Sequence, residues 1–222
     1  MRALFHHPAQ AAVPVSTLIF DLDGTISDPG PGIGRSFNYA LNACGYPAVS
    51  HEQVKSAIGP PLDESFRRFC PGADRAAIDT LIAKYRERYG EIGYAENTLY
   101  PGVKSALNSL CTAGIPLGVC TSKRSDFAVQ ILALFGLSSL FRFVDGGDTG
   151  VRKEDQLAVL LKRGRIDASA IMIGDRRADI AAARANRLLS VGVLWGFGDE
   201  AELTEAGADR LLRHTGELSS LA

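Results

Sequence analysis

Cysteine and long apolar runs are both scarce in this chain. Four cysteines occur in 222 residues, at positions 44, 70, 111 and 120, and no two form a C-x-x-C pair. That spacing excludes the usual zinc pattern and a disulfide scaffold. Free thiols in a reducing compartment fit better, so a cytoplasmic protein is expected. No stretch approaches the ~18 apolar residues that a membrane helix needs. The N-terminus lacks the continuous apolar block of a secretory signal, because His6, His7 and Pro8 interrupt it. Residues 1–13 read instead as a disordered lead-in, with the histidine pair solvated rather than metal-bound. An excess of one charge sign is also missing, since 24 basic side chains face 25 acidic ones. Nucleic-acid polymers are therefore not expected as the main partner, because that binding is driven by phosphate neutralisation. Repeats and low-complexity segments are absent.

Hydrophobic residues make up 46% of the chain and charged residues 22%, ordinary values for a globular protein. The length corresponds to roughly one and a half typical domains. A short apolar run, V-S-T-L-I-F (residues 15–20), ends in acids and a glycine and reads as a buried strand before a tight turn. From Gly32 to about Arg88 the pattern is helical throughout, broken at Gly45 and at Gly59-Pro60-Pro61. After Tyr100-Pro101-Gly102 the texture changes. Helices are expected over 103–112, 125–135, 154–163 and 177–185. Strands are expected over 115–120, 141–145, 170–173 and 189–193. Such alternation implies a parallel sheet wrapped by helices. The expected fold class is therefore α/β, a Rossmann-like parallel core with an inserted helical cap. Residues 14–30 and 100–222 form the core, and residues 31–99 the cap.

In open parallel sheets, ligands bind beyond the carboxyl ends of the strands. There the first strand would deliver Asp21 and Asp23, the second Thr121 and Ser122, and a later one Asp175. The D-L-D-G-T stretch (21–25), taken alone, reads as a turn or a calcium loop. Calcium fits poorly, because Thr25, Ile26 and Ser27 do not supply the alternating oxygen ligands and closing Glu such a loop needs. The stretch gains meaning from its company: T-S-K (121–123), Lys153 at a helix start, and G-D-R-R-A-D (174–179).

On F-D-L-D-G-T, T-S-K, Lys153 and G-D-R-x-x-D, in this order, the chain resembles the haloacid dehalogenase-like hydrolase superfamily. More narrowly it resembles the phosphoglycolate phosphatase-like group with a helical cap. I-G-P-P-L (58–62), Y-P-G (100–102) and G-V-L-W-G-F-G (192–198) are similar connecting text. The resemblance implies Asp21 as nucleophile forming an aspartyl-phosphate, and Asp23 as general acid and then base. It implies Thr121 and Lys153 as further catalytic residues. Mg2+ would be held by Asp21, the Asp23 carbonyl and Asp175, with Asp179 holding a metal-bound water or orienting Lys153. The phosphate would rest on Leu22, Gly24, Thr25, Thr121, Ser122 and Lys153. Gly59, Pro60 and Pro61 would form a cap loop that selects the leaving group. The second acid, Asp23, argues for phosphoryl transfer over carbon–halogen cleavage. The implied activity is hydrolysis of a small phosphate monoester of phosphoglycolate, sugar-phosphate or nucleotide type, by a monomer or homodimer. The alternatives are a β-phosphoglucomutase-like mutase and a non-catalytic binding protein on the same scaffold.

Overall fold

The structure, a computed structural model, describes residues 17–147 and 151–222. The expected lead-in over 1–13, with His6 and His7, lies outside the described residues, as does the start of the first expected strand. In chain order the elements are β1 (Leu18–Phe20), β2 (Ser27–Asp28), α1 (Gly30–Ala43), α2 (His51–Ser56), α3 (Leu62–Phe69), α4 (Arg75–Glu91) and β3 (Thr98–Leu99). Then follow α5 (Val103–Thr112), β4 (Leu117–Arg124), α6 (Ser125–Leu134), β5 (Phe141–Gly147), α7 (Lys153–Lys162) and β6 (Ile171–Gly174). The chain closes with α8 (Arg177–Ala185), β7 (Leu189–Val193), α9 (Glu200–Ala206), β8 (Arg210–Leu212) and a 3-10 turn at Thr215–Leu221.

Six strands form one sheet in the order β5-β4-β1-β6-β7-β8, and every pairing is parallel. Alternation along the strands sorts side chains to two faces. Leu18, Phe20, Leu117, Val119, Ile171 and Ile173 join one core with residues of α5 and α6. Ile19, Cys120 and Met172 join the other, under α7 and α8. The chain adds β4 and β5 on one side of β1, then crosses to β6 on the other. That reversal of direction opens a crevice between the carboxyl ends of β1 and β6, where doubly wound sheets bind ligands.

The helical stretch after β1 has a core of its own. Apolar residues at helical spacing, Phe37 and Leu41 of α1, Phe66 of α3, and Ile78, Leu81, Tyr85 and Tyr89 of α4, pack together. Phe37 makes edge contacts with Phe66 at 5.1 Å and Phe69 at 5.2 Å. Local capping sets the helix starts. Ser50 and Gln53 form a capping box on α2, and Asp74 accepts the Ala77 N–H on α4 at 2.8 Å. The chain leaves for these helices along β2 and returns along β3, and the two strands pair antiparallel. Among the described residues, no helix is long and apolar enough to cross a membrane.

The expected helices over 103–112 and 177–185 and the strand over 189–193 have the observed bounds. β4 differs. It continues past Cys120 to Arg124, because β5 runs beside it through the register shift that pairs Arg124 with Gly147. Thr121 and Ser122 therefore lie within the strand. The segment Glu200–Leu221, for which no elements are expected from the sequence, adds α9 and β8 to the sheet edge.

Candidate active site

β1 ends at Phe20, so Asp21 emerges at the centre of the crevice, where its N–H donates to the Ile173 carbonyl of β6 at 2.9 Å. β6 ends at Gly174 and presents Asp175 beside it, while Asp179 follows in the first turn of α8. Single carboxylate oxygens of Asp21, Asp175 and Asp179 lie within 4.8 Å of one another, and all three side chains are buried. Lys153, the first residue of α7, is the ammonium among them. Its Nζ lies 3.0 Å from Asp21 Oδ1 and is hydrogen-bonded to Asp179 Oδ1. The other Asp179 oxygen accepts the Arg176 N–H at 3.0 Å, which fixes the carboxylate on the helix end.

Three acids around one base leave negative charge uncompensated. Burial, then the neighbouring Asp179 and Asp21, push the Asp175 carboxyl up to about 8. Burial pushes Asp179 up to about 6, with Lys153 opposing the rise. Burial works against the Lys153 ammonium, but Asp179 and Asp21 outweigh it and raise its affinity for the proton. A hard divalent cation suits such an all-oxygen donor set, because it replaces the missing positive charge. Cys120, next to Thr121, does not compete as a nucleophile, since burial pushes its thiol up to about 12.

Asp23 stands apart from this group. Its Oδ2 pairs with Lys123 Nζ at 2.7 Å, and its Oδ1 is buried without a hydrogen-bond partner among the described residues. Burial raises its carboxyl above the ordinary value, against the pull of Lys123. Lys123 also donates to the Tyr89 hydroxyl of α4 at 2.7 Å, so the inserted helices reach into the crevice. Sequence reading names Lys123 only as the third residue of T-S-K and assigns nothing to Tyr89.

The turn after Asp21 is tight. Gly24 takes φ +85°, and a Cβ there would fall on the Asp175 carboxylate. The N–H groups of Gly24 and Thr25 point inward, donating to Ser27 O at 2.8 Å and Leu22 O at 3.3 Å. Thr25 Oγ1 donates to Asp175 Oδ1 at 3.3 Å. Leu22 is fully buried in the sheet core. Of this expected phosphate-binding turn, Gly24 and Thr25 therefore face Asp175 rather than open space. Thr121 is buried, and its Oγ1 accepts the Lys123 N–H at 3.3 Å. Ser122 is exposed and lines the cleft. Gln156, absent from the sequence reading, donates to the Thr121 carbonyl at 3.2 Å and to Asp145 Oδ1 at 2.8 Å.

A family-wide sequence profile, described as haloacid dehalogenase-like hydrolase, matches residues 18–193. The chain belongs to the haloacid dehalogenase-like hydrolases. It is 36% identical over 208 residues to the tyrosine-protein kinase PtkA of Mycobacterium tuberculosis, covering 92% of this chain and 70% of that one. The solved PtkA structure superposes with a TM-score of 0.79, covering 96% of this chain and 100% of the other at 32% identity. A 5'-nucleotidase of Pseudomonas aeruginosa is 36% identical over 197 residues, covering 87% and 89%. A phosphoglycolate phosphatase of Yersinia pestis is 33% identical over 208 residues, covering 90% and 89%.

In this haloacid dehalogenase-like hydrolase the acids open into a cleft of about 1580 Å³ between the sheet ends and the inserted helices. Gly59, Pro60 and Pro61 are among the residues that line it. This loop is tied to the core by Arg176, which donates to the Ile58 carbonyl at 2.7 Å and to Glu202 Oε1 at 3.0 Å. The segment 192–198 covers Asp175 from outside. The Phe197 N–H donates to Asp175 Oδ2 at 2.8 Å, and Trp195 Nε1 donates to the Thr25 carbonyl at 3.0 Å. A Cβ at Gly196 would overlap the same carboxylate. Sequence reading quotes this segment without giving it a task.

Proposed function

We propose that this hydrolase is a Mg2+-dependent phosphatase that cleaves a small phosphate monoester of phosphoglycolate, sugar-phosphate or nucleoside-monophosphate type. One observation carries the reading. Asp21 and Asp23, two positions apart on one strand end, have separate ammonium partners, Lys153 at 3.0 Å and Lys123 at 2.7 Å. Two carboxylates in distinct settings suit the two tasks of phosphoryl transfer, nucleophile and proton donor.

The Asp21 carboxylate attacks phosphorus while the bond to the leaving oxygen breaks and Asp23 gives that oxygen its proton. The product alcohol leaves, and the phosphoryl group stays on Asp21. Asp23, now a carboxylate, takes a proton from water as the water oxygen attacks phosphorus. The bond to Asp21 breaks, releasing inorganic phosphate. Lys153 holds Asp21 in place, and Thr121 and Ser122 receive the phosphate. Asp21, Asp175 and the Asp23 carbonyl, with Asp179 beside them, would hold Mg2+, which would supply the positive charge that lets two anions approach. Residues 31–99 act as the cap that excludes water, with Gly59, Pro60 and Pro61 facing the leaving group. Four free thiols fit the reducing cytoplasm.

Phosphate release from p-nitrophenyl phosphate tests the reading. Turnover is expected with Mg2+, and none with a chelator or in Asp21→Asn. A folded protein inactive toward aryl and alkyl phosphates with Mg2+ overturns it. A panel ranked by kcat/KM names the ester class, and isomerised sugar phosphate in place of free phosphate indicates a mutase. The relative named a tyrosine-protein kinase supports a second reading, in which the phosphoryl acceptor is a tyrosine hydroxyl. Incubation with ATP and a tyrosine-containing peptide separates the two.

A further inference from the structure

We propose that Lys123 and Tyr89 are positioning residues, a two-bond link through which the cap sets the Asp23 carboxylate for proton transfer. The proposal rests on the phosphatase reading above and concerns one step of it, protonation of the leaving oxygen.

The link is built from buried, well-fixed parts. Lys123 lies near the end of β4, and its N–H is tied to Thr121 Oγ1 at 3.3 Å. Its ammonium side chain is only 8% exposed and reaches two acceptors at 2.7 Å, Asp23 Oδ2 on the core side and Tyr89 Oη on the cap side. Tyr89 does not swing freely. Its ring stacks on Tyr85 at 5.5 Å and meets Phe127 of α6 edge-on at 5.1 Å. A rigid aromatic on the cap therefore fixes a lysine on the core, and the lysine fixes one oxygen of Asp23.

The other oxygen, Oδ1, is buried and bonded to nothing among the described residues. An unmade hydrogen bond at a buried carboxylate costs free energy, so it points to a partner that arrives with the substrate. The leaving oxygen is that partner in the proposed reaction. With Oδ2 committed to Lys123, Oδ1 is the atom that carries the proton to it. Opening the cap withdraws Tyr89, and the remaining Lys123–Asp23 pair loses its outer anchor. Proton delivery is thereby coupled to closure, when water is excluded.

Leaving-group dependence separates this role from a structural one. An aryl phosphate such as p-nitrophenyl phosphate expels a stable phenolate and gains little from a proton donor. An alkyl phosphate expels a basic alkoxide and depends on one, and a positioned acid is worth ~10²–10⁴-fold in rate. Tyr89→Phe keeps the ring contacts and removes only the hydroxyl. We expect its kcat to fall at least about 10-fold on the alkyl phosphate that wild type turns over fastest, and less than about 3-fold on p-nitrophenyl phosphate, as partial loss of that acid contribution. Lys123→Met should widen the gap, and Lys123→Arg should recover part of it. Equal losses on both esters would show a structural role and overturn the proposal. So would a change confined to KM, which would make Lys123 a binding group for the ester. Wild-type protein inactive on every ester would instead remove the phosphatase reading, and the proposal with it.

Discussion

Gly24 lies against the Asp175 carboxylate with no space for a side chain between them. The turn after β1 and the end of β6 meet at this contact, so its geometry sets the distance between Asp21 and Asp175. Gly24→Ala should therefore do two things. It forces an alanine to φ +85° and drives its Cβ into the carboxylate. Gly45 is the control, since it has φ +77° and nothing within 4 Å of the place a Cβ would take. Both variants should lose ~1–2 kcal/mol from backbone strain. Only Gly24→Ala should also lose phosphatase activity, by about 10²-fold or more in kcat/KM, in line with the cost of a small misplacement at a reacting centre. Equal activity in the two variants would mean that the contact is not needed for chemistry.

The buried acids make the metal-free protein sensitive to alkali. Asp175 titrates at about 8 and Asp179 at about 6 in the fold, against ~3.9 in an unfolded chain. The folded state thus holds protons that the unfolded state has released. Stability should fall as pH rises through this window, by at most ~1.4 kcal/mol per pH unit for each group, and level off above the folded values. Mg2+ bound at these acids, as proposed, would compete with those protons, so the gain in Tm on adding it should grow with pH. Thermal melts with chelator and with Mg2+, from about pH 5 to pH 9, check both trends. Asp175→Asn should flatten the first and shrink the second. Stability that rises with pH in chelator would contradict the account.

Among the described residues, Lys153 is the one ammonium paired with Asp21 and Asp179. Lys153→Met keeps the length of the side chain and removes the charge, which leaves two buried carboxylates uncompensated. Breaking a buried pair in this way costs ~3–5 kcal/mol. Chemical denaturation should show that loss, and phosphate release should fall below detection. A variant as stable as wild type would show that the acids do not need this counter-ion.

The parallel core was readable because its signals are local. Short β-branched runs such as L-I-F and helical spacing over 177–185 report burial within a few residues of themselves. The same holds for Asp21, Asp23 and Asp175, which directly follow such runs. What could not be read depends on distant partners. β2 and β3 are two residues each and form only because the chain returns some seventy positions later. β8 has a single buried residue, Leu212, and is a strand only because Val191 to Val193 lie alongside it. The Lys123–Tyr89 bond joins the core to the cap and leaves no periodic trace. Nothing local distinguishes Gly24 as a residue pressed on Asp175, which is 151 positions away along the chain.

The strand order has a consequence for biosynthesis. β1 emerges first from the ribosome, yet its neighbours β4 and β6 begin only at Leu117 and Ile171. The earliest strand therefore waits through most of synthesis for both flanks, and until Gly174 has been made its apolar residues have an open edge. The cap helices, which have their own core within residues 33–89, can pack while the sheet is still waiting. A chain released early would carry a folded lid over a centre that does not yet exist, so the centre comes together only when most of the protein is already made.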